Sequence, residues 1–279
     1  IKNGPKKFCS SCYDCSYTLF TPLSSQILKL NKFIDENTLK EINKIVQTTK
    51  VKDIVAYKLN NINIGENTLA GTLRYFARGS LDFENRHHIE ILKKYFKSAL
   101  ITKFAMENLL KKRKYDVVVI DHGMYVPQGI IGEVAKSKGS FVKVIWVGYK
   151  RNTMMVVDNI TYHKSLITED RANWSDYNFD EKKETKLMSY LKDRDSGKQD
   201  WEKFNNNPIN DIETLKKAKK LDDRPIISLM TNVIWDAQLK FDQNIFKNQM
   251  EWIIKTVDYF KNKKNLQLVI RVHPAEVRP

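Results

Sequence analysis

The residues best suited to chemistry in this chain follow short apolar runs. Arg271, His273, Pro274 and Glu276 lie at the end of the run Leu266–Val272. Arginine offers a planar cationic fork that suits phosphate, and histidine can donate to a phosphate oxygen or a ribose hydroxyl. Proline ends the strand and fixes the turn that directs these two side chains. An isolated Arg-x-His-Pro fits a strand end with ordinary surface charge as well as it fits a ligand-binding site. The rest of the chain must therefore decide between these two interpretations.

Another polar cluster, which comes first along the chain, follows an earlier apolar run. Asp121, His122 and Gly123 come directly after Tyr115–Ile120, and Tyr125 lies two residues further on. In open α/β sheets, ligands bind just outside the carboxyl ends of the strands. Both clusters are predicted at such ends, so their side chains are candidates for ligand binding.

The first cluster belongs to a predicted βαβ unit. The strand Tyr115–Ile120 leads through the loop into a crossover helix at Gln128–Lys138, which Gly139 ends. The strand Phe141–Val147 follows, and Arg151 lies in its exit loop. Strands that alternate with helices at this spacing predict a parallel sheet. The G-x-G-x-x-G fingerprint of a dinucleotide site is absent.

The second cluster ends a similar unit. Ile226–Met230 is a predicted strand, and Thr231 and Asn232 open its exit loop. A helix is predicted at Phe246–Phe260, and the strand Leu266–Val272 follows it. The chain is therefore predicted to be an α/β protein with two Rossmann-like domains.

Other segments are predicted from their apolar spacing or turn residues. Arg74 and Arg78 lie one helical turn apart at the predicted helix Thr68–Ala77. For these two residues a solvated helix face is favoured over an anion site. The predicted elements are a short helix at Pro22–Phe33, helices at Asn37–Thr49, Thr68–Ala77, Asn85–Lys112 and Lys182–Asp193, and a strand at Val51–Leu59.

Composition limits the possible classes of protein. The chain has 279 residues and a formal net charge of +15, which suits nucleic acid, anionic lipid or anionic small molecules. Lysine and asparagine enrichment is also typical of an AT-rich genome, and no nucleic-acid recognition motif is present, so nucleic-acid binding is not expected.

No apolar run is long enough to cross a bilayer, and a soluble cytoplasmic protein is expected. The chain begins at Ile1 and stops soon after a strand, which suggests a piece of a longer protein.

The three cysteines are Cys9, Cys12 and Cys15. A structural zinc site needs four ligands, and no second cysteine pair or nearby histidine completes one. Free thiols are therefore expected, and no metal site is predicted.

Three stretches together resemble a known family. They are Val-Val-Val-Ile-Asp-His-Gly-x-Tyr-Val-Pro-Gln-Gly from Val117, Asn-x-x-Trp-Asp from Asn232, and Val-Ile-Arg-Val-His-Pro-Ala-Glu from Val269. They are similar to bacterial capsule polysaccharide biosynthesis glycosyltransferases, within the wider GT-B group whose His-Pro motif binds the donor nucleotide. The resemblance spans roughly residues 50–279. It implies an acceptor-side domain at 1–200, a linker at 201–222, and the incomplete start of a nucleotide-sugar-binding domain at 223–279.

The resemblance also implies roles for the donor-side residues. Arg271 is expected to bind phosphate, and His273, followed by Pro274, to bind phosphate or ribose. Thr231 and Asn232 could present backbone N–H groups to the same phosphates. Glu276 is expected either to accept from ribose hydroxyls or to serve as an ordinary capping or surface carboxylate.

On the acceptor side, a base must lie within hydrogen-bond reach of the attacking hydroxyl. His122 and Asp121 are the candidates, and a histidine at a strand exit could equally position substrate. Gly123, Tyr125 and Arg151 are expected around the acceptor. A GT-B enzyme generally needs no metal or other cofactor, because cationic side chains and helix N-termini neutralise the leaving phosphate.

The expected partners are a nucleotide-sugar donor and a saccharide or lipid-linked acceptor. The basic surface leaves peripheral association with the inner face of the cytoplasmic membrane open. Three alternatives stay open: a nucleotide-sugar 2-epimerase, a CDP-glycerol glycerophosphotransferase-like enzyme, and a non-catalytic anion-binding protein.

Overall fold

A computed structural model describes residues 5–23, 26–161, 163–164, 169–196, 211–240 and 244–277. These residues form an α/β protein with two separate sheets. The helices before the first sheet are α1 Pro5–Phe20, α2 Glu36–Thr48, α3 Val51–Ile54, α4 Ile64–Phe76 and α5 Arg86–Lys112, with one 3₁₀ turn at Leu30–Phe33. Within the described ranges, no helix combines the length and the apolar character that crossing a bilayer requires.

The helical core is organised by α5. Its apolar residues Leu92, Phe96 and Leu100 recur every four positions and are fully buried. They pack against Ile42 of α2 and Ile130 of the later crossover helix. Each such buried side chain contributes about 1.5–3 kcal/mol relative to an exposed one, so this stripe fixes α5 against its neighbours.

Two predictions near the N-terminus are wrong. The segment Pro22–Phe33, expected as a short helix, contains one 3₁₀ turn, at Leu30–Phe33, among its described residues. The strand expected at Val51–Leu59 is instead the short helix α3, because Ile54 is buried in the helical core and no strand lies beside it in the described structure. In this region tertiary packing decides the local conformation.

Two longer helices confirm their predictions, and both begin beside a capping residue. Asp35 caps α2, and its side chain accepts a hydrogen bond from Thr38 N at 2.7 Å. Asn85 caps α5 and accepts from two backbone N–H groups of the first turn.

The first sheet contains the predicted βαβ unit. Strands β1 Val117–Asp121 and β2 Phe141–Val147 are parallel, in register from Val117↔Phe141 to Asp121↔Ile145, and helix α6 Gln128–Ser137 joins them. Strand β3 Met154–Asp158 adds to β2 in antiparallel orientation, so the sheet is mixed. Gly132 allows α6 to approach β1 closely, because a Cβ there would lie 2.6 Å from Ile120 Cδ1. That approach sets the distance between helix and sheet.

The second sheet has two parallel strands, β4 Ile226–Met230 and β5 Gln267–Arg271, joined by α9 Gln249–Phe260. Between the sheets lie α7 Glu181–Asp195 and α8 Ile212–Lys219. Helix α8 occupies part of the expected linker at 201–222, whose residues 201–210 lie outside the described structure. The side chains of Cys9 and Cys12 are likewise outside it, and Cys15 is exposed.

Candidate functional site

The candidate site begins where β1 ends. Asp121 is the last residue of the strand, and His122 and Gly123 both adopt left-handed backbone conformations, with φ of 61° and 69°. For a non-glycine residue this conformation costs about 1 kcal/mol or more. The resulting tight turn, in which Gly123 N donates to Asp121 O at 2.6 Å, directs the chain towards α6. It places the two predicted catalytic side chains next to each other.

The His122 imidazole is buried among aromatic rings. Its centroid lies 3.6 Å from the Trp146 ring and 5.5 Å from the Tyr125 ring. The His163 ring is parallel to it at 6.2 Å. Trp146 belongs to β2, so pairing of β1 with β2 brings this wall together.

Burial determines the charge state of the two histidines. It lowers the pKa of His122 to about 4, and the nearby Arg74 guanidinium adds to this, while Asp236 acts in the opposite direction. Burial also lowers the pKa of His163 to about 4. Both rings are therefore neutral at pH 7, and His122 can donate or accept a hydrogen bond without carrying charge.

Asp121 is affected in the opposite direction. Loss of solvent around its carboxyl raises its pKa, and the Arg74 charge partly offsets that rise. A general base must reach the proton that it accepts. Of the two predicted candidates, Asp121 is exposed at the cavity and is accessible to an acceptor hydroxyl, whereas His122 is buried among rings and is better suited to positioning.

Arg74 supplies the positive charge at this site. It lies in the last turn of α4, which Ala77 ends in a left-handed conformation. Its guanidinium carbon lies 4.7 Å from the Tyr125 ring centroid, and its Nη1 lies 3.4 Å from Asp236 Oδ1. Arg78 is exposed just beyond the end of α4, whereas Arg74, although partly exposed, lines the cavity of this site.

Tyr125 connects the site to the second sheet. Its hydroxyl donates a short hydrogen bond to Asp236 Oδ1 and accepts from Ala237 N at 3.4 Å. Burial, followed by the Asp236 carboxylate, raises the pKa of Tyr125 to about 12, so the hydroxyl keeps its proton. In the same loop, Gln238 Nε2 donates to Gly79 O at 2.7 Å. The loop after β4 thus packs against the turn after α4.

These side chains surround a cavity of about 270 Å³. Four of its lining residues carry rings, and its two charged residues are an arginine and an aspartate. The lining residues are Gly71, Arg74, Tyr95, Asp121, His122, Tyr125, Val126, Gln128 and Trp146. Two predicted acceptor-side residues do not line it: Gly123 forms the turn behind it, and Arg151 is exposed in the loop after β2.

A larger concavity, of about 630 Å³, lies between Lys150 and one side of α7. Its lining is mostly lysine, glutamate and hydroxyl side chains from that single helix. The larger concavity is lined neither by His122 or His163 nor by Tyr125, whose pKa values are shifted. The 270 Å³ cavity is therefore the better candidate for chemistry.

The predicted donor-side residues mostly hold their own loops together. Thr231 Oγ1 accepts from His273 N at 3.0 Å, which ties the exits of β4 and β5. Glu276 Oε1 accepts from Ile234 N at 2.6 Å, which favours its structural interpretation over binding to ribose. His273 Nδ1 accepts from Ala275 N at 3.1 Å, so the neutral ring carries its proton on Nε2.

The remaining donor-side residues surround this framework. Arg271 and Asn232 are exposed, and Pro274 begins a 3₁₀ turn that ends at Val277. None of the six predicted donor-side residues lines the 270 Å³ cavity. The loop after β4 contacts the cavity residues instead through Asp236, which pairs with Arg74, and through Trp235. The Trp235 ring centroid lies 5.7 Å from the Arg74 guanidinium.

Sequence reasoning did not assign a role to several residues of the site. Asp236 was recognisable as a polar residue in a strand-exit loop, and Trp146 as an aromatic residue at the end of a predicted strand. Tyr95 and Gln128 carry no comparable sequence signal, because they reach the cavity only through the packing of α5 and α6. Among the described residues, no group of three or more His, Cys, Asp or Glu side chains is arranged to hold a metal ion.

Comparison with known proteins adds no assignment: no family model, no curated protein and no solved structure matches the chain.

Proposed function

We propose that the protein is a glycosyltransferase of the GT-B type, acting in capsule or surface polysaccharide biosynthesis. In this proposal, residues 1–200 form an acceptor-side Rossmann-like domain, 201–222 a linker, and 223–279 the start of a donor-side domain. The reaction would take place on the cytoplasmic side of the membrane, with a nucleotide-sugar as donor and a saccharide or lipid-linked acceptor. The three sequence stretches and the α/β architecture support it.

One observation carries the proposal. The loop after β4 places Asp236 against Tyr125 and Arg74, both of which line the cavity at the end of β1. The loop after β4 thus contacts two residues that line the cavity at the exit of β1. A transferase that closes two sheet edges over a donor and an acceptor needs this arrangement.

The cavity has the chemistry that a sugar requires. Trp146, Tyr125 and Tyr95 offer aromatic surface for the apolar face of a sugar ring, and Gln128 and Asp121 offer polar groups for its hydroxyls. Arg74 provides a cation for a negatively charged group of either substrate.

In the proposed reaction, the acceptor hydroxyl oxygen forms a bond to the anomeric carbon of the donor. The bond between that carbon and the phosphate oxygen breaks, and the nucleotide leaves with both bonding electrons. Asp121 accepts the hydroxyl proton, and neutral His122 positions the acceptor. Arg271 and His273 Nε2 neutralise the charge that develops on the leaving phosphate.

One alternative gains support from the same geometry. A nucleotide-sugar 2-epimerase needs carboxylates near the sugar. Asp121 lines this cavity, and Asp236 is bonded to Tyr125 and Arg74 in its wall. An epimerase changes the sugar of its substrate without an acceptor, so product analysis separates the two reactions.

The test is incubation of the protein with CMP-, UDP-, GDP- and CDP-linked donors, with and without oligosaccharide acceptors, while nucleotide release is followed. Acceptor-dependent release is expected with one donor, and it should fall by about a hundredfold or more in Asp121→Asn, which removes the base. Asp116→Asn is the matched control, since Asp116 is exposed just before the opposite end of β1. Epimerised donor without transfer would support the alternative, and no release with any donor would refute the transferase proposal.

A further inference from the structure

An exposed apolar surface runs along the N-terminal segment. Between Tyr13 and Ile27 six large side chains expose between 38% and 77% of their area, which is unusual for one short stretch. They are Tyr13, Tyr17, Leu19, Phe20, Leu23 and Ile27. Residues 13–33 contain a single acidic residue, Asp14. This surface has little negative charge of its own.

A group of cations lies beside it. Four consecutive cationic residues lie at the C-terminal end of α5 and directly after it. Two more lie in the segment that includes the 3₁₀ turn. They are Lys29, Lys32, Lys111, Lys112, Arg113 and Lys114, and all six are exposed.

Direct contacts join the two groups into one surface. Lys29 Nζ lies 4.7 Å from the Tyr13 ring centroid. Lys112 Nζ lies 5.8 Å from the Phe33 ring, and Asn108 Nδ2 donates to Phe33 O at 2.9 Å. The end of α5 is therefore packed against the segment that carries the exposed aromatic and aliphatic side chains. We call the twelve residues of these two groups the basic–apolar surface.

The cations of this surface differ from two other lysines of α5, Lys94 and Lys103, which lie in ion pairs. Lys94 pairs with Glu90 at 2.8 Å, and Lys103 pairs with Glu107 at 3.0 Å. In the part of the chain that the structure describes, no carboxylate pairs with any of the six cations. Their charge is thus available to an external anion.

From this juxtaposition we propose that the basic–apolar surface binds the face of an anionic lipid bilayer. Cations attract the lipid headgroups, and aromatic and aliphatic side chains enter the boundary between headgroups and acyl chains. A polyanion such as an acidic polysaccharide would use the cations alone and leave the six apolar side chains exposed to water. The apolar half of the surface therefore favours the bilayer. This inference does not depend on the proposed transferase activity.

The test is co-sedimentation of the full chain with vesicles of phosphatidylcholine, with or without phosphatidylglycerol as a quarter of the lipid. Binding is expected only with the anionic vesicles, and it should weaken as NaCl rises from about 0.1 to about 0.5 M, because salt screens the attraction. Each surface cation contributes about fivefold to binding, so Lys111→Glu with Lys112→Glu should weaken it by more than about tenfold.

Two matched controls come from α7, which is exposed elsewhere on the protein. Lys182→Glu with Lys186→Glu makes the same change in net charge and should alter binding by less than about twofold, since screened surface charges act over about 10 Å. Circular dichroism verifies that all variants fold. An equal loss in this control would show that only the total charge matters, which overturns the proposal.

The apolar half is tested with Leu19→Ser and Phe20→Ser in one variant. Vesicle binding should fall strongly while retention on immobilised heparin, a polyanion, stays unchanged. The control removes the similarly exposed adjacent pair Leu187 and Met188 by serine substitution and should have no effect. Unchanged vesicle binding in the first variant would mean that the surface recognises polyanions, and absence of binding to anionic vesicles would also refute the proposal.

Discussion

Replacing Tyr125 with phenylalanine tests whether the loop after β4 is fastened to the cavity. Tyr125→Phe keeps the ring under Arg74 but removes the hydroxyl that donates to Asp236 and accepts from Ala237 N. A hydrogen bond to a charged group contributes about 1.5–3 kcal/mol net. The Asp236 side chain is 34% exposed, so water can partly replace the lost donor, and a loss of about 1–2 kcal/mol in unfolding free energy is expected.

The measurement is urea denaturation followed by circular dichroism, arranged as a double-mutant cycle with Asp236→Asn. If the hydroxyl and the carboxylate interact, the two changes should couple by about 1 kcal/mol or more. Tyr259→Phe is the control, because that ring is 63% exposed, and it should change stability by less than about 0.5 kcal/mol. Additive effects would show that Asp236 does not hold Tyr125, and the cavity would then not join the two strand exits.

Three further predictions concern the same region. The His122 imidazole should titrate with a pKa of about 4 by NMR. Because its folded pKa lies below the ordinary 6.5, His122 should contribute a loss of about 3 kcal/mol in stability as the pH drops from about 6.5 through 4, and His122→Gln should remove this contribution and leave that of His163. Gly129→Ala should lower stability by about 1–3 kcal/mol in thermal unfolding, since its Cβ would lie 2.1 Å from the buried Asn67 Oδ1. Arg74→Lys keeps the charge but loses the planar contact with the rings, so donor turnover should fall about tenfold or more, whereas Arg78→Lys should have no effect.

The sequence predicted the parts of the fold that rest on local patterns. The strands Phe141–Val147 and Ile226–Met230 have their predicted bounds, and α6 ends just before Gly139, whose φ is +86°. Short apolar runs between turn residues identify strands with little influence from distant contacts. The helix α5 also begins and ends as predicted, because its apolar spacing and its Asn85 cap agree.

Predictions failed where distant contacts decide the conformation. Val51–Leu59 alternates loosely, and such a segment can form either a strand or a short helix. It becomes α3 because Ile54 is buried against residues from α5, which lie about forty positions later in the chain. Thr231 was expected near the donor phosphates, and Glu276 either at the ribose or as a capping or surface carboxylate. Both side chains accept hydrogen bonds from backbone groups about forty residues away. Polar residues at a strand exit can serve the loop as well as a ligand, and their types do not distinguish these uses.

The composition of the cavity shows why its chemistry was only partly predictable. Asp121 and His122 are neighbours in sequence, so one motif revealed both. Arg74 reaches Asp236 across 162 positions, and Tyr125 reaches it across 111. These contacts require α4, the β1 exit and the β4 exit to be placed together first. Because Arg74 and Asp236 act oppositely on the pKa of His122, the charge state of the motif is itself set by residues that the motif does not contain. Any catalytic role for Asp121 and His122 therefore depends on the loop that Asp236 holds in place.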